Sequence, residues 1–441
     1  MDFETRKRLY ALCRDEPLGP KDSRNVDFDA DDLRVRGISW MQRLATPIEL
    51  SDRPSFQLLT GLPGSGKSTE LRRLEAFLEG PPGEPGFLVV RVDSEEALDL
   101  TQAIDTPDLI AVLVHEAEQR VLAMEGALED AAENGYLARL WHWLSETEVD
   151  LSKAQLGAGP AKLTVEMKTR TAFRQEMRAA VGRHFTRFLQ EARDYLAELD
   201  ARARRHGWKG IVLILDSLEK LQGLASTWTE VLESAERVFG GGAPHLQLPV
   251  HCLYTVPPAL VYRLNMLVEF VPMVKLRDRD GRRFEPGHQA LRELVRRRVA
   301  DGELQELLGP AWQGHLDELI QRSGGYPREV VQALRRLVEL PSHPATDDDL
   351  ERYHNEVRER FRSVVTDDEI PLLVRVAQEK TLPVPTEDDR PMIDRVIRNN
   401  VVLRYDNSKS WFDLHPAVLD IPQIRRRLEE AADTDAGDAS T

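Results

Sequence analysis

One segment of the chain has the residue types and spacing of a phosphate-binding loop. Residues 60–69 read TGLPGSGKST, in which Gly61, Gly66, Lys67 and Ser68 satisfy the pattern G-x-x-x-x-G-K-[ST]. Glycines let backbone N–H groups turn inward around phosphate oxygens, the lysine adds positive charge at the β and γ phosphates, and the hydroxyl ligates Mg²⁺. The alternative is a Gly-rich turn that precedes a helix.

We expect the whole loop to surround the phosphates of a nucleotide. The residues assigned to binding are Gly61, Pro63, Gly64, Ser65, Gly66, Lys67, Ser68 and Thr69. Because the chain lacks an N-K-x-D motif for reading guanine, the expected nucleotide is ATP with Mg²⁺.

The elements around the loop fit this interpretation. An apolar run over 55–61 predicts a strand before it, and helically spaced apolar residues over 68–80 predict a helix after it. The same patterns predict further strands at 85–93, 209–221, 248–258 and 267–276 and helices at 106–124 and 171–206. This alternation is typical of a parallel α/β sheet.

Hydrolysis also requires a carboxylate on the metal side and a group that orients water. The apolar run IVLILD places Asp216 at the carboxyl end of a buried strand, where ligands bind in such sheets. We therefore assign Asp216, with Ser68, to the metal, and Glu219 to polarising the attacking water. The alternatives are a helix N-cap for Asp216 and an ordinary first-turn helix acid for Glu219. Glu70 is predicted to be an exposed helix residue.

The chain divides into several predicted regions. The predicted boundaries are 1–40 for an N-terminal lead-in, 41–285 for the α/β nucleotide-binding domain with a helical insertion near 125–208, 286–345 for a helical lid, 346–427 for a winged-helix domain and 428–441 for a disordered acidic tail. The winged-helix prediction depends on two predicted helices that are followed by the segment VVLRYDNSKSWFDLHP. This segment is predicted to form two short strands.

Composition limits the classes of function. A length of 441 residues allows more than one domain, and a net charge of −16 opposes broad nucleic-acid affinity. Neither a signal-peptide core nor a membrane-spanning stretch is recognisable, so we expect a cytoplasmic protein. Cys13 and Cys252 are too few for a disulfide framework and are interpreted as plain thiols.

The order of these parts resembles the P-loop ATPases of the AAA+ and STAND groups. The resemblance extends from near residue 40 to near 425 and includes the phosphate loop, the strand LILDSLE, a polar residue ending the next strand, and GGYPR in the lid. The chain is similar in particular to bacterial ATP-binding proteins that have a winged helix after the lid. These are distantly like origin-recognition ATPases.

The resemblance implies roles for two more residues. Thr255 matches the first sensor of the γ-phosphate, and Arg328 of GGYPR matches the second sensor, which reaches the nucleotide from the lid. The alternatives are a β-branched strand residue and a surface arginine at a helix start. In typical AAA+ proteins the second acid is adjacent to the first, whereas here Ser217 intervenes before Glu219, which favours the STAND-like pattern.

Three functions remain open at this point. The first is an ATP-driven conformational or oligomerisation switch with slow hydrolysis, which by resemblance acts with a separate effector in signalling or antiviral defence. The second is a DNA-acting ATPase, and the third is a nucleotide-binding scaffold without turnover. For duplex DNA, the basic residues of the winged helix are Arg395, Arg398, Arg404 and Lys409. Partner proteins or copies of the chain are expected, and a membrane is not.

Overall fold

The computed structural model describes most of the chain. The described residues are 1–30, 34–127, 135–136, 178–179, 181–221, 227–383, 386, 389–406 and 409–438, with side chains up to 431. Of the insertion predicted near 125–208, the part before residue 181 lies almost entirely outside them. The helices are α1 (Phe3–Leu12), α2 (Trp40–Leu50), α3 (Lys67–Glu79), α4 (Ser94–Ala97), α5 (Thr106–Glu125), α6 (Phe185–Arg205), α7 (Trp228–Phe239), α8 (Ala243–Leu246), α9 (Glu285–Arg296), α10 (Asp301–Leu308), α11 (Trp312–Arg322), α12 (Pro327–Val338), α13 (Asp347–Val364), α14 (Ile370–Glu379), α15 (Arg390–Arg398), α16 (Pro416–Leu419) and α17 (Pro422–Asp438).

A five-stranded sheet confirms the predicted α/β fold. Its strands are β1 (Phe56–Gly61), β2 (Leu88–Asp93), β3 (Ile211–Asp216), β4 (His251–Thr255) and β5 (Glu269–Val271), in the order β2-β3-β4-β1-β5. The pairs β2–β3, β3–β4 and β4–β1 are parallel. Every residue of β3 is buried, as expected for an apolar strand covered on both faces.

Two compact units make up the described chain, and each has its own apolar core. We call Leu44–Thr60 with Arg73–Glu269 the sheet unit, and Met1–Arg43, Gly61–Arg72 and Phe270–Thr441 together the loop unit. The phosphate loop therefore groups with the N-terminal and C-terminal segments, although the sequence predicted it as part of a continuous domain over 41–285.

In the sheet unit, α5 supplies much of the core. Its start is fixed by a capping box between Asp105 and Asp108, with Pro107 in the first turn, and Gly126 ends it in a left-handed conformation. The helix is buried along most of its length and packs against α6, β2 and β3. The predicted helix over 106–124 is thus confirmed.

The loop unit contains the helices predicted for the lid. α9, α10, α11 and α12 lie in the range predicted for the lid, and the segment SGGY lies between α11 and α12. Their apolar faces form one core with α1, in which Arg6 of α1 donates to the carbonyls of Val338 and Leu340 at the end of α12. The N-terminal helix is therefore attached to the lid.

The C-terminal part of the loop unit matches the order predicted for a winged helix. β6 (Val402–Asp406) and β7 (Ser410–Leu414) form an antiparallel pair, with the Tyr405 and Trp411 rings stacked 4.5 Å apart. His415 is buried against Phe361, with ring centroids 4.3 Å apart, so it serves packing. α17 continues to Asp438, so 428–438 is helical where composition predicted disorder.

Two further expectations can be compared with the described residues. No helix in the described ranges is long and apolar enough to cross a membrane. Cys13 and Cys252 are both buried free thiols, and burial raises the pKa of Cys13 to about 11 and that of Cys252 to about 12. At neutral pH both therefore remain protonated, which agrees with the interpretation as plain thiols.

Candidate functional site

The phosphate loop adopts a conformation that requires its glycines. Gly64 and Gly66 have φ angles of +81° and +94°, which residues with a Cβ rarely adopt. Ser65 N–H donates to the Leu62 carbonyl at 3.1 Å and tightens the turn. The helix α3 then starts at Lys67. The strand, loop and helix thus follow one another as predicted.

Lys67 lies inside the curve of the loop. Its side chain is 3% exposed, and Nζ donates to the carbonyls of Gly61 at 2.9 Å and Leu62 at 3.2 Å. These two bonds fix the position of the ammonium group beside the first residues of the loop. The positive charge is thereby placed at the start of α3, where the helix dipole also favours an anion.

A buried arginine that the sequence analysis did not assign supports the loop. Arg36 is 1% exposed and donates Nη1 to Glu70 Oε1 at 2.8 Å and Nη2 to the Ser65 carbonyl at 2.6 Å. Its guanidinium also lies 4.6 Å from the centre of the Phe28 ring. Glu70 is buried, so the prediction that it is an exposed helix residue is wrong, because Arg36 arrives from a distant segment.

The lid contributes two side chains to the surroundings of the loop. A Cβ on Gly64 would lie 2.4 Å from Tyr326 Cε2 and 2.9 Å from Arg328 Cβ, so this part of the lid is in direct contact with the loop. Arg328 Nε donates to Asp15 Oδ1 at 2.9 Å, and Gln332 contacts the other oxygen of Asp15 at 3.3 Å. The predicted second sensor is thus near the loop and paired with an N-terminal acid.

The N-terminal and C-terminal segments also bond to the loop and to α3. Leu18 N–H donates to Thr69 Oγ1 at 3.2 Å. Asn400, just before β6, donates Nδ2 to the Pro63 carbonyl at 3.2 Å. No motif points to Leu18 or Asn400; the only sequence signal for Asn400 is an Asn-Asn pair at a helix end, where left-handed backbone is common.

In the sheet unit, Asp216 ends β3 as predicted and is almost fully buried. Its Oδ1 accepts the Ser217 N–H at 2.7 Å, and its Oδ2 lies 3.7 Å from Arg91 Nη1. Burial, reinforced by the nearby Glu219 carboxylate, raises the pKa of Asp216 to about 6. A neighbouring cation lowers such a pKa, so the site favours bound positive charge.

Glu219 and Thr255 lie close to Asp216 in the same unit. Glu219 belongs to a short 3-10 helix, Leu218–Lys220, that follows β3 directly. Thr255, at the end of β4, accepts the Leu218 N–H on Oγ1 at 3.0 Å. This bond places the hydroxyl of the predicted first sensor at the start of the turn that carries Glu219. Ser217 makes the turn possible with a φ of +66°.

Two of the four basic residues predicted for duplex DNA have partners within the loop unit. Arg395 donates to Glu369 at 2.5 Å, and the Arg404 guanidinium lies 4.4 Å from the centre of the Phe270 ring. Each of these two side chains therefore has a contact within its own unit. These contacts reduce the basic surface that the DNA hypothesis requires.

Comparisons with known proteins give similarities of fold only. No protein-family model and no curated protein sequence matches the chain. The crystal structure of Cdc6p from Pyrobaculum aerophilum is 12% identical, with 96% of this chain and 98% of that chain covered and a TM-score of 0.38. The Aeropyrum pernix ORC2 protein, in ADPNP-ADP complexes, is 10% identical, with 98% of each chain covered and a TM-score of 0.42. At these scores neither similarity assigns an activity or a partner to this chain.

Gly64→Ala should destabilise the loop unit. The added Cβ meets both the left-handed backbone and the ring of Tyr326, so the combined loss is about 2 to 4 kcal/mol in the free energy of unfolding. Gly281→Ala is the matched control, because Gly281 has a φ of +82° and nothing within 4 Å of its Cβ position. Urea unfolding compares the two; equal losses would contradict the close contact with Tyr326.

Asp216→Asn should stabilise the protein in a pH-dependent way. The unfolded chain ionises near 3.8 but the folded chain near 6, so the cost of the buried charge is absent below about pH 4 and complete above about pH 6. Without nucleotide and with EDTA, the variant should gain up to about 3 kcal/mol above that range and nothing below it. Urea unfolding across pH measures this, with exposed Asp194→Asn as control; a variant less stable throughout would contradict it.

Proposed function

We propose that the loop binds the phosphates of Mg-ATP. The observation that carries this proposal is the loop itself, in which Gly64 and Gly66 are left-handed and Lys67 is held inside the curve. Ser65 Oγ adds support, because it is fully buried with no hydrogen-bond partner among the described residues. A phosphate oxygen offers such a group the acceptor that the protein does not.

We assign Mg²⁺ to the Ser68 hydroxyl and the Asp216 carboxylate. Nucleotide-bound Mg²⁺ takes one or two protein ligands and completes its shell with water and phosphate oxygens. One hydroxyl and one carboxylate are oxygen donors of the kind that Mg²⁺ prefers, so these two residues fit that donor set. When bound, Mg²⁺ neutralises charge on the phosphates. Asp216 supplies a buried carboxylate whose ionised form gains most from a nearby cation.

The chemistry we propose is slow hydrolysis of the γ-phosphate. Glu219 orients or deprotonates the attacking water, Thr255 hydrogen-bonds the γ-phosphate, and Arg328 stabilises the charge that spreads over its oxygens. The bond from Leu218 N–H to Thr255 supports joint placement of the first two groups. Arg328 donates to Asp15, and the guanidinium must leave this partner to reach the γ-phosphate, which favours a slow reaction.

The use of the bound nucleotide, we propose, is a conformational or oligomerisation switch. The loop contacts the lid through Tyr326, the N-terminal segment through Arg36, and the C-terminal segment through Asn400. Phosphate binding therefore acts on all three segments at once, whose exposed surfaces can then engage a partner or another copy. An effector in signalling or antiviral defence is proposed from the resemblance to STAND ATPases alone.

Lys67→Ala should strongly weaken nucleotide binding. Loss of a charged hydrogen bond to phosphate is expected to weaken Mg-ATP binding by about a hundredfold, and with it any nucleotide-dependent change of size in solution. Calorimetric titration and light scattering measure the two effects. Lys209→Ala, which removes an exposed lysine of the sheet unit, is the control. If wild type does not bind ATP, the proposed function is wrong.

Glu219→Gln should separate binding from turnover. We expect phosphate release to fall about a hundredfold or more while Mg-ATP affinity stays near that of wild type, because the amide cannot accept the proton from water. Glu230→Gln, at an exposed acid in the first turn of α7, is the control. Phosphate release unchanged by Glu219→Gln would favour a nucleotide-binding scaffold or place the water-orienting group elsewhere.

A further inference from the structure

Two side chains from outside the phosphate loop each bind one of its carbonyl oxygens. Arg36 donates to the Ser65 carbonyl at 2.6 Å, and Asn400 donates to the Pro63 carbonyl at 3.2 Å. The two residues are separated by most of the chain, and both belong to the loop unit. The carbonyls they hold immediately precede Gly66 and Gly64, the two left-handed glycines.

Because the peptide bond is planar, these two contacts also fix the direction of the following backbone N–H groups. In a trans peptide the C=O and the N–H of the next residue point in opposite directions. Holding the Ser65 carbonyl therefore directs the Gly66 N–H away from Arg36, and holding the Pro63 carbonyl directs the Gly64 N–H away from Asn400. Among the described residues no acceptor is found for either glycine N–H.

Both holding side chains are themselves restrained. Arg36 is fixed by its ion pair with Glu70 and by the Phe28 ring, so its second donor group remains aimed at Ser65. Asn400 is 7% exposed and has a φ of +56°, a conformation that asparagine tolerates better than most residues. Its Oδ1 is buried with no hydrogen-bond partner in the described chain, so the amide is retained at a cost.

We infer that Arg36 and Asn400 are positioning residues for phosphate binding. Each holds a carbonyl of the loop outward so that the following glycine offers its N–H to a phosphate oxygen. This inference depends on the proposed function, since it concerns how the same loop binds nucleotide. The C-terminal segment thus contributes directly to the conformation of the loop through the side-chain amide of Asn400.

The arrangement has a particular consequence for nucleotide affinity. Loop amides contact phosphates that ADP and ATP share, whereas the sensors act on the γ-phosphate. Loss of a positioning residue should therefore weaken ADP and ATP binding by the same factor. A change in a sensor such as Arg328 should instead affect ATP more than ADP.

The test measures affinity for Mg-ADP and Mg-ATP by calorimetric titration of the full chain. Asn400→Asp keeps size and left-handed tolerance but removes the donor, and Asn400→Gly removes the side chain without adding charge. Arg36→Lys keeps the ion pair with Glu70 but loses the two-pronged geometry. Each variant should bind both nucleotides about tenfold more weakly than wild type.

Matched controls separate positioning from charge and folding. Asn399→Asp places the same new charge one residue away, and Arg298→Lys alters another buried arginine of the loop unit, one that bonds the Leu294 carbonyl. Both controls should bind nucleotide as wild type does. Thermal unfolding without nucleotide shows whether a variant is folded, and Asn400→Gly remains informative if Asn400→Asp is not.

The outcomes are distinguishable. Equal weakening of ADP and ATP binding in folded Arg36 and Asn400 variants, with unchanged controls, supports the inference. Wild-type affinity in these folded variants, or weakening confined to ATP, overturns it while leaving the proposed function intact. Failure of wild type to bind either nucleotide overturns the proposed function, and the inference with it.

Discussion

A loop that presents its amide N–H groups to an anion must have its carbonyl oxygens satisfied elsewhere, and donors from several segments of the loop unit do so. The loop carbonyls with a donor are those of Gly61, Leu62, Pro63, Ser65 and Gly66. The donors come from Lys67 within the loop, from the backbone of α3, and from Arg36 and Asn400 at opposite ends of the chain. The bonds to the Pro63 and Ser65 carbonyls belong to the peptide units whose N–H groups are those of Gly64 and Gly66, the two amides proposed to meet phosphate.

The contacts around the loop and α3 join segments that are far apart in sequence. α3 follows the loop directly, but the buried partner of its Glu70 is Arg36 from the N-terminal segment. Tyr326 closes on Gly64 so tightly that no side chain fits there. Packing at this density transmits a displacement rather than absorbing it. A change in the loop on nucleotide binding would therefore displace residues in the N-terminal, lid and C-terminal segments together.

In the sheet unit, the feature that costs stability is the buried carboxylate of Asp216. Asp216 is buried with its pKa raised, and the shift comes first from burial and then from Glu219. Arg91, which also pairs with Glu75, offsets only part of that cost. A buried acid whose pKa is raised in this way lowers folding stability when it is ionised, and a nearby cation would favour its ionised form. The position is thus better suited to binding than to holding the fold together.

The sequence by itself determined the local parts: the strand-loop-helix order around Lys67, the glycines that the left-handed turns require, and the acid at the end of β3. These features can be predicted from the sequence because residue type, spacing and apolar periodicity are properties of short segments. Only the tertiary structure decided that Glu70 is buried on Arg36, that Arg328 pairs with Asp15, and that Asn400 holds Pro63. Those contacts join residues that are dozens to hundreds of positions apart. A hydrogen bond between two distant segments produces no recognisable pattern in the sequence of either segment.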